Sequence, residues 1–179
     1  QVLLIEDDPN WMDLEKRVLQ SIGFDVTTAP DATTGINILE KSAKKFVISD
    51  LHMNGDNGDR VLKYLLEQES NIPFVVASGT LCDAAKKTIA EGTTPSFFFS
   101  KEDFLNPRFV EEKVAYILQH PAHYHATPNY LAVVQKAKDQ INSVPDIMAE
   151  ANRVKGMVFR LLSDYAKELG NNFEILKNF

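Results

Sequence analysis

The chain has 179 residues, of which 44% are hydrophobic and only one is cysteine, so it can bury a core but cannot form an internal disulfide. Its net charge is −6, and neither residues 1–119 nor residues 120–179 carry the strong positive excess that binding to nucleic-acid phosphates requires. No apolar run approaches the roughly 18 residues of a membrane span and no signal-peptide pattern opens the chain, so we expect a cytoplasmic protein without a membrane partner. Gln1 stands directly before an apolar run, which suggests that the natural start is missing.

Short apolar runs alternate with segments of helical period over the first 120 residues. The runs are Val2–Ile5, Val26–Ala29, Phe46–Ser49, Phe74–Ala77 and Phe97–Phe99. Helices are predicted near residues 10–22, 31–42, 58–68, 82–91 and 107–119. Apolar runs without alternation are typical of strands buried on both faces of a parallel sheet. The alternation therefore predicts an α/β domain with a doubly wound, five-stranded parallel sheet over residues 1–120.

The pattern changes after His120. Residues 121–128 show no periodicity and are predicted to be a linker. Two helices are predicted near 129–142 and 145–169, so residues 129–179 are expected to form a small all-α extension that serves as an output, partner-binding or dimerisation element. The second helix has apolar residues at steps of three and four, namely Ile147, Ala151, Val154, Val158, Leu161 and Tyr165. This apolar seam favours a homodimer through residues 127–169.

Polar residues stand where four of the predicted strands end. In chain order they are Glu6, Asp7 and Asp8, then Asp50, then Ser78, then Lys101. Because the carboxyl ends of parallel strands lie at one edge of the sheet, these side chains are expected to converge. Carboxylates about 4 Å apart repel by on the order of 4 kcal/mol at an effective dielectric near 20, and a hard cation such as Mg²⁺ relieves that repulsion. An aspartate in such a site can accept a phosphoryl group, with the lysine and the hydroxyl binding its oxygens.

Four segments resemble, in their order and spacing, the signature of response-regulator receiver domains. They are Leu4-Ile5-Glu6-Asp7-Asp8-Pro9, Ser49-Asp50-Leu51-His52-Met53 with Gly58, Ala77-Ser78-Gly79, and Phe98-Phe99-Ser100-Lys101. The resemblance covers about residues 1–120 and implies a flavodoxin-like fold with strand order 2-1-3-4-5. It also implies a phosphorelay function, in which a histidine kinase or phosphotransfer protein supplies the phosphoryl group and Mg²⁺ is the cofactor.

The resemblance further implies a role for each matching residue. Asp50 corresponds to the phosphoacceptor. The metal ligands correspond to Glu6, Asp7, Asp50 and the backbone carbonyl of His52. The switch hydroxyl, the phosphate-pairing lysine and the aromatic switch residue correspond to Ser78, Lys101 and Phe98. One departure concerns Glu102, which follows Lys101 where the family usually has proline, so the sequence leaves the geometry of this turn open.

Two other functions stay open on the sequence alone. A receiver-like fold can act as a protein-binding module without phosphorylation, although the intact set of Asp50, Lys101 and the acidic pair argues against it. An aspartate-nucleophile phosphatase is the second alternative. That class usually carries two aspartates one residue apart after the first strand, whereas the candidate nucleophile here follows the third strand. We therefore expect a phosphoacceptor with at most slow autodephosphorylation rather than an enzyme. The sequence indicates neither the kinase nor the output.

Overall fold

The structure is a computed structural model that describes residues 1–44, 46–53, 58–79 and 98–142. Within these ranges five strands form one sheet: β1 (Val2–Ile5), β2 (Val26–Ala29), β3 (Phe46–Asp50), β4 (Phe74–Ser78) and β5 (Phe98–Ser100). The strand order is β2-β1-β3-β4-β5, and every neighbouring pair is parallel. The prediction of a doubly wound, five-stranded parallel sheet is therefore confirmed.

Within the described ranges, helices connect the first four strands and pack on the sheet. The described α-helices are α1 (Pro9–Ser21), α2 (Ala32–Lys41), α3 (Gly58–Glu67), α4 (Pro107–Gln119) and α5 (Pro128–Asn142). Helix α1 packs against α4, whereas α3 contacts both α2 and α5. None of the described helices is both long enough and apolar enough to cross a membrane. The helices predicted near residues 82–91 and 145–169 lie outside the described residues.

The strands differ in burial according to their place in the sheet. All residues of the central strands β1, β3 and β4 are buried, as expected for parallel strands with helices on both faces. The edge strand β2 buries Val26 and Ala29 but leaves Thr27 and Thr28 half-buried. Asp50 and Ser78 therefore end fully buried strands, and Glu6 and Asp7 directly follow one.

The start of α1 is fixed immediately after the acidic residues that follow β1. The Asp8 side chain accepts hydrogen bonds from the backbone N–H groups of Asn10 at 2.9 Å and Trp11 at 3.2 Å. Pro9 occupies the first turn, where its missing N–H costs nothing. Gly23, with φ of +92°, follows the helix end. These local signals place Glu6 and Asp7 in a short connection at the carboxyl edge of the sheet.

The compact α/β unit extends beyond residue 120. The chain divides into one unit from Gln1 to Ser143 and a second from Val144 to Phe179. Residues 121–128, predicted to be a linker, include a 3-10 helix at Pro121–Tyr124 in which Tyr124 is buried in the core. Helix α5, predicted to belong to the extension, packs against α3 and buries Tyr130 and Ala137. Both segments join the first unit because it covers their apolar side chains.

Candidate functional site

Three carboxylates meet at the carboxyl edge of the central strands. Asp50 is the last residue of β3, and Glu6 and Asp7 directly follow β1. Glu6 is held by its backbone N–H, which donates to the carbonyl of Ala29 at 3.0 Å. One carboxylate oxygen from each of Glu6, Asp7 and Asp50 lies within 4.8 Å of the other two. The structure thus brings together the three acids that the sequence placed at the ends of two different strands.

Lys101 reaches into this acidic cluster from the end of β5. Its ammonium donates to Asp50 Oδ2 at 2.8 Å and forms an ion pair with Glu6 Oε2. The ammonium also lies 5.7 Å from the centre of the Trp11 ring, a distance at which a cation–π attraction operates. Only 5% of Lys101 is exposed. Its charge is consequently held among the carboxylates and away from bulk water.

The other predicted site residues lie on neighbouring elements. Ser78, the last residue of β4, is buried, and its Cα pairs with that of Ser100. The backbone N–H of His52 donates to Asp50 Oδ1 at 3.1 Å, so Asp50 has both of its oxygens engaged. Phe98 begins β5, but its side chain lies outside the described part of the structure. The structure therefore joins His52 to Asp50 by a hydrogen bond and places Ser78 one residue beyond Ala77, the strand partner of Asp50, while the side chain of Phe98 is not among the described ones.

The electrostatics of the cluster follow from its burial and its excess of acids. Burial and the neighbouring charge of Asp50 raise the pKa of Glu6 to about 7, although Lys101 opposes the shift. Burial lowers the pKa of Lys101, but the carboxylates of Asp50, Glu6 and Glu15 outweigh burial and raise it overall. Lys101 is therefore a permanent cation here, and it does not balance all of the surrounding carboxylates.

The donor set fits a hard divalent cation. Three carboxylates with one buried lysine leave an excess of negative charge within a few ångströms. Oxygen donors in such an arrangement are the ligands that Mg²⁺ takes, with water completing its coordination shell. Glu6, Asp7 and Asp50 are the residues placed to hold it.

One buried acid next to this cluster was not singled out from the sequence. Glu15 on α1 is fully buried, and neither of its carboxylate oxygens has a hydrogen-bond partner among the described residues. Burial, and then the nearby charge of Glu6, raises its pKa well above the ordinary value. The available signal was its spacing, because Glu15 lies four residues after Trp11 and three before Val18 on the apolar stripe of α1.

The protein is an α/β protein whose parallel sheet carries a carboxylate cluster and a buried lysine at its carboxyl edge. The sequence pattern of the response regulator receiver domain matches residues 2–97. The chain belongs to the response regulator receiver domain family.

Curated relatives agree with that assignment. The two-component response regulator ORR21 of Oryza sativa is 33% identical over 95 residues, which are 51% of this chain and 14% of the relative. The C4-dicarboxylate transport transcriptional regulatory protein DctD of Pseudomonas aeruginosa is 34% identical over 79 residues, which are 44% of this chain and 17% of the relative. The chain thus matches less than a fifth of the length of either relative.

Solved receiver structures share the fold. A receiver domain protein from Methanospirillum hungatei superposes with a TM-score of 0.56 at 19% identity, covering 68% of this chain and 94% of the other. The receiver domain of NtrX from Brucella abortus gives a TM-score of 0.52 at 21% identity, covering 63% and 96%. At this level of identity the likeness establishes the CheY-like flavodoxin fold and nothing further about chemistry.

Proposed function

We propose that this chain is a phospho-accepting receiver in which Asp50 takes the phosphoryl group from a histidine kinase or phosphotransfer protein. The observation that carries the proposal is the environment of Asp50. Only 5% of Asp50 is exposed, and its two carboxylate oxygens accept hydrogen bonds from Lys101 at 2.8 Å and from the His52 N–H at 3.1 Å. The acids Glu6 and Asp7 lie beside it. A carboxylate held in this way is presented as a nucleophile in a fixed direction.

The transfer forms one bond and breaks one bond at phosphorus. A carboxylate oxygen of Asp50 attacks the phosphorus of the donor, and the bond from phosphorus to the leaving group breaks. The leaving group, an imidazole nitrogen or the acetate oxygen of acetyl phosphate, keeps the electron pair, and the product on Asp50 is an acyl phosphate. When bound by Glu6, Asp7, Asp50 and the His52 carbonyl, Mg²⁺ supplies positive charge that offsets the negative charge of the phosphoryl oxygens.

Lys101 and Ser78 contribute after the approach of the donor. The Lys101 ammonium, which contacts Asp50 in the structure, can bind a phosphoryl oxygen and offset charge that spreads over these oxygens during transfer. Ser78 lies at the end of the adjacent strand, from which its hydroxyl can donate to another oxygen. The phosphoryl group adds about two negative charges, and we propose that Ser78 and Phe98 convert this charge into the signalling conformation.

Phosphorylation with a small donor tests the proposal. Acetyl phosphate with Mg²⁺ should label the protein, EDTA should prevent labelling, and Asp50→Asn should abolish it while the fold is retained, since the oxygen that accepts from His52 is kept. Asp13→Asn is a matched control, because Asp13 is an exposed acid paired with Arg17 on α1, and it should label like the wild type. Intact-protein mass spectrometry detects the added phosphoryl group, and its removal by hydroxylamine identifies an acyl phosphate. Undiminished labelling of Asp50→Asn would disprove the assignment.

The labelling experiment and an assay with small phosphate esters together separate the alternative functions. Absence of labelling in the wild-type protein, under conditions that label a known receiver, would favour a binding module that works without phosphorylation. Repeated turnover of small phosphate esters would favour an aspartate-nucleophile phosphatase. The expected result is a single phosphorylation at Asp50 followed by slow loss of phosphate, which is the behaviour of a phosphoacceptor. A cytoplasmic location, the absence of a nucleic-acid partner and a homodimer stay predictions.

A further inference from the structure

The turn that presents Lys101 is closed by two side chains of its own. Ser100 ends β5 and caps the 3-10 helix Lys101–Leu105. The backbone N–H of Ser100 donates to Asp103 Oδ2 at 2.9 Å, and the backbone N–H of Glu102 donates to Ser100 Oγ at 3.3 Å. The amides on both sides of Lys101 are therefore bonded within the turn, in the reciprocal arrangement of a capping box.

The direction of the Lys101 side chain depends on this turn. Lys101 has a long, flexible stem, so a small rotation of its backbone produces a larger displacement at the ammonium. The ammonium must nevertheless meet Asp50 at 2.8 Å, and the stem passes so close to Gly79 that a Cβ there would lie 3.4 Å from Lys101 Cδ. The capping hydrogen bonds restrict the backbone torsions that would otherwise move the ammonium away from Asp50.

Asp103 also connects the turn to α4. Its Oδ2 lies 3.8 Å from the ammonium of Lys113, whose side chain is only 20% exposed. That ammonium sits 4.3 Å from the centre of the buried Phe99 ring. Burial lowers the pKa of Lys113, and Asp103 opposes the shift. One carboxylate thus joins the end of β5, the turn and α4.

We propose that Asp103 is a positioning residue for phosphoryl transfer, because it holds the turn in which Lys101 aims its ammonium at Asp50. The inference rests on the proposed function for its consequence in transfer, but the orientation of Lys101 can be measured without any phosphoryl donor. Asp103 contacts none of the reacting atoms, and it acts through the backbone of residues 100–102.

The first measurement uses NMR of lysine ammonium groups in the unphosphorylated protein. The Lys101 signal is identified by its loss in Lys101→Ala, and it should exchange slowly with water because the ammonium is buried and bonded to Asp50. Asp103→Ala should broaden or shift this signal. Asp103→Asn, which keeps an oxygen that can accept from the Ser100 N–H, should retain it. Glu102→Ala removes an exposed acid from the same turn and is the matched control, with no expected change.

The second measurement compares rates of labelling by acetyl phosphate with Mg²⁺. Asp103→Ala should be slower than the wild type by about fivefold to about thirtyfold, the factor that corresponds to loss of a capping interaction. Asp103→Asn should recover most of the rate, and Glu102→Ala should match the wild type. Circular dichroism and urea unfolding of each variant establish that the folded protein is being compared.

Three outcomes would overturn the positioning role. They are an unchanged Lys101 ammonium signal in Asp103→Ala, an equal defect in Glu102→Ala, and a defect in Asp103→Asn as large as that in Asp103→Ala. A wild-type protein that is not labelled would instead refute the proposed function, and the ammonium signals would still decide whether Asp103 positions Lys101.

Discussion

Glu15 lies on the buried face of α1, among the apolar side chains of Trp11, Val18 and Leu19. A fully buried carboxyl without a hydrogen-bond partner among the described residues costs folding free energy, and the charged form costs most. The nearby Glu6 carboxylate adds repulsion, whereas Lys101 offsets part of it. The wild-type protein therefore carries an acid at a position where a neutral side chain would be more stable.

Replacing this acid should stabilise the protein. Glu15→Gln removes the titrating group, and Glu15→Leu also removes the polar atoms, so Glu15→Leu should raise the free energy of unfolding at neutral pH by about 1–3 kcal/mol, the usual cost of an unsatisfied buried polar group. Urea unfolding monitored by circular dichroism measures the difference. Glu112→Gln, an exposed acid paired with Arg108, is the matched control and should change stability little.

Glu15→Gln should also change how the free energy of unfolding depends on pH. Because burial raises the pKa of Glu15 above its ordinary value of 4.5, the folded protein holds a proton that the unfolded chain has lost, and stability falls as the pH rises above about 4.5. The difference in unfolding free energy between Glu15→Gln and wild type should therefore be larger at about pH 8 than at about pH 5. An equal difference at both pH values would contradict a raised pKa for Glu15.

At the scale of secondary-structure elements, α5 contacts the amino-terminal end of β4, whereas Ser78 lies at the carboxyl end of that strand. The Tyr130 hydroxyl donates to the carbonyl of Phe74 at 3.1 Å, and the two rings meet edge to face with centroids 6.0 Å apart. Val134 and Ala137 are buried on the same face of α5, which packs against α3. The apolar face of this helix is therefore used within the α/β unit.

Substitutions of Tyr130 show how much its contacts with Phe74 contribute to the free energy of unfolding. Tyr130→Phe keeps the ring contact but loses a buried hydrogen bond to Phe74, so it should lower the free energy of unfolding by about 0.5–1.5 kcal/mol. Tyr130→Ala loses the ring as well and should cost about 3–5 kcal/mol, as other large buried aromatic residues do. Urea unfolding gives both values. A stability of Tyr130→Ala equal to that of wild type would mean that α5 is not packed against β4 in solution.

At the scale of the whole molecule, the packing of α5 reduces the set of residues that are available for a contact between two copies of the chain. The sequence predicts a homodimer through residues 127–169, but α5 buries Tyr130, Val133, Val134 and Ala137 within its own α/β unit. The seam from Ile147 to Tyr165 lies outside the described residues, and its spacing of three and four still requires a partner surface. We therefore place the predicted contact in residues 144–169.

Light scattering on three chain lengths tests this prediction. The intact chain should be a dimer at tens of micromolar, and a chain ending at Ser143 should be a folded monomer. A chain ending at Gln119 should be a monomer that is less stable than the chain ending at Ser143, because it lacks the buried Tyr124, Tyr130 and Ala137. A monomeric intact chain would show that the seam is covered by its own chain or by another protein.

The sequence determined the sheet and most of the candidate site because both depend on local patterns. Apolar runs such as Val2–Ile5 and Phe46–Ser49 are buried on both faces, and parallel pairing puts their carboxyl ends at one edge. Once five strands alternate with helices, Glu6, Asp50 and Lys101 are expected at the same edge of the sheet. The order of the strands came from the family resemblance, since periodicity alone does not decide which strands are neighbours.

Only the tertiary structure decided which surfaces cover the remaining residues. The pattern of α5 marks its apolar face but does not say whether α3 or a second chain packs against it, and the structure gives α3. The spacing of Glu15 places it on the apolar stripe of α1, yet its burial follows from the elements around that helix. Likewise, Asp103 could be recognised as a cap from its spacing to Ser100, but its contact with Lys113 exists because α4 folds back beside β5. Contacts between residues distant in sequence depend on this packing, which local patterns do not encode.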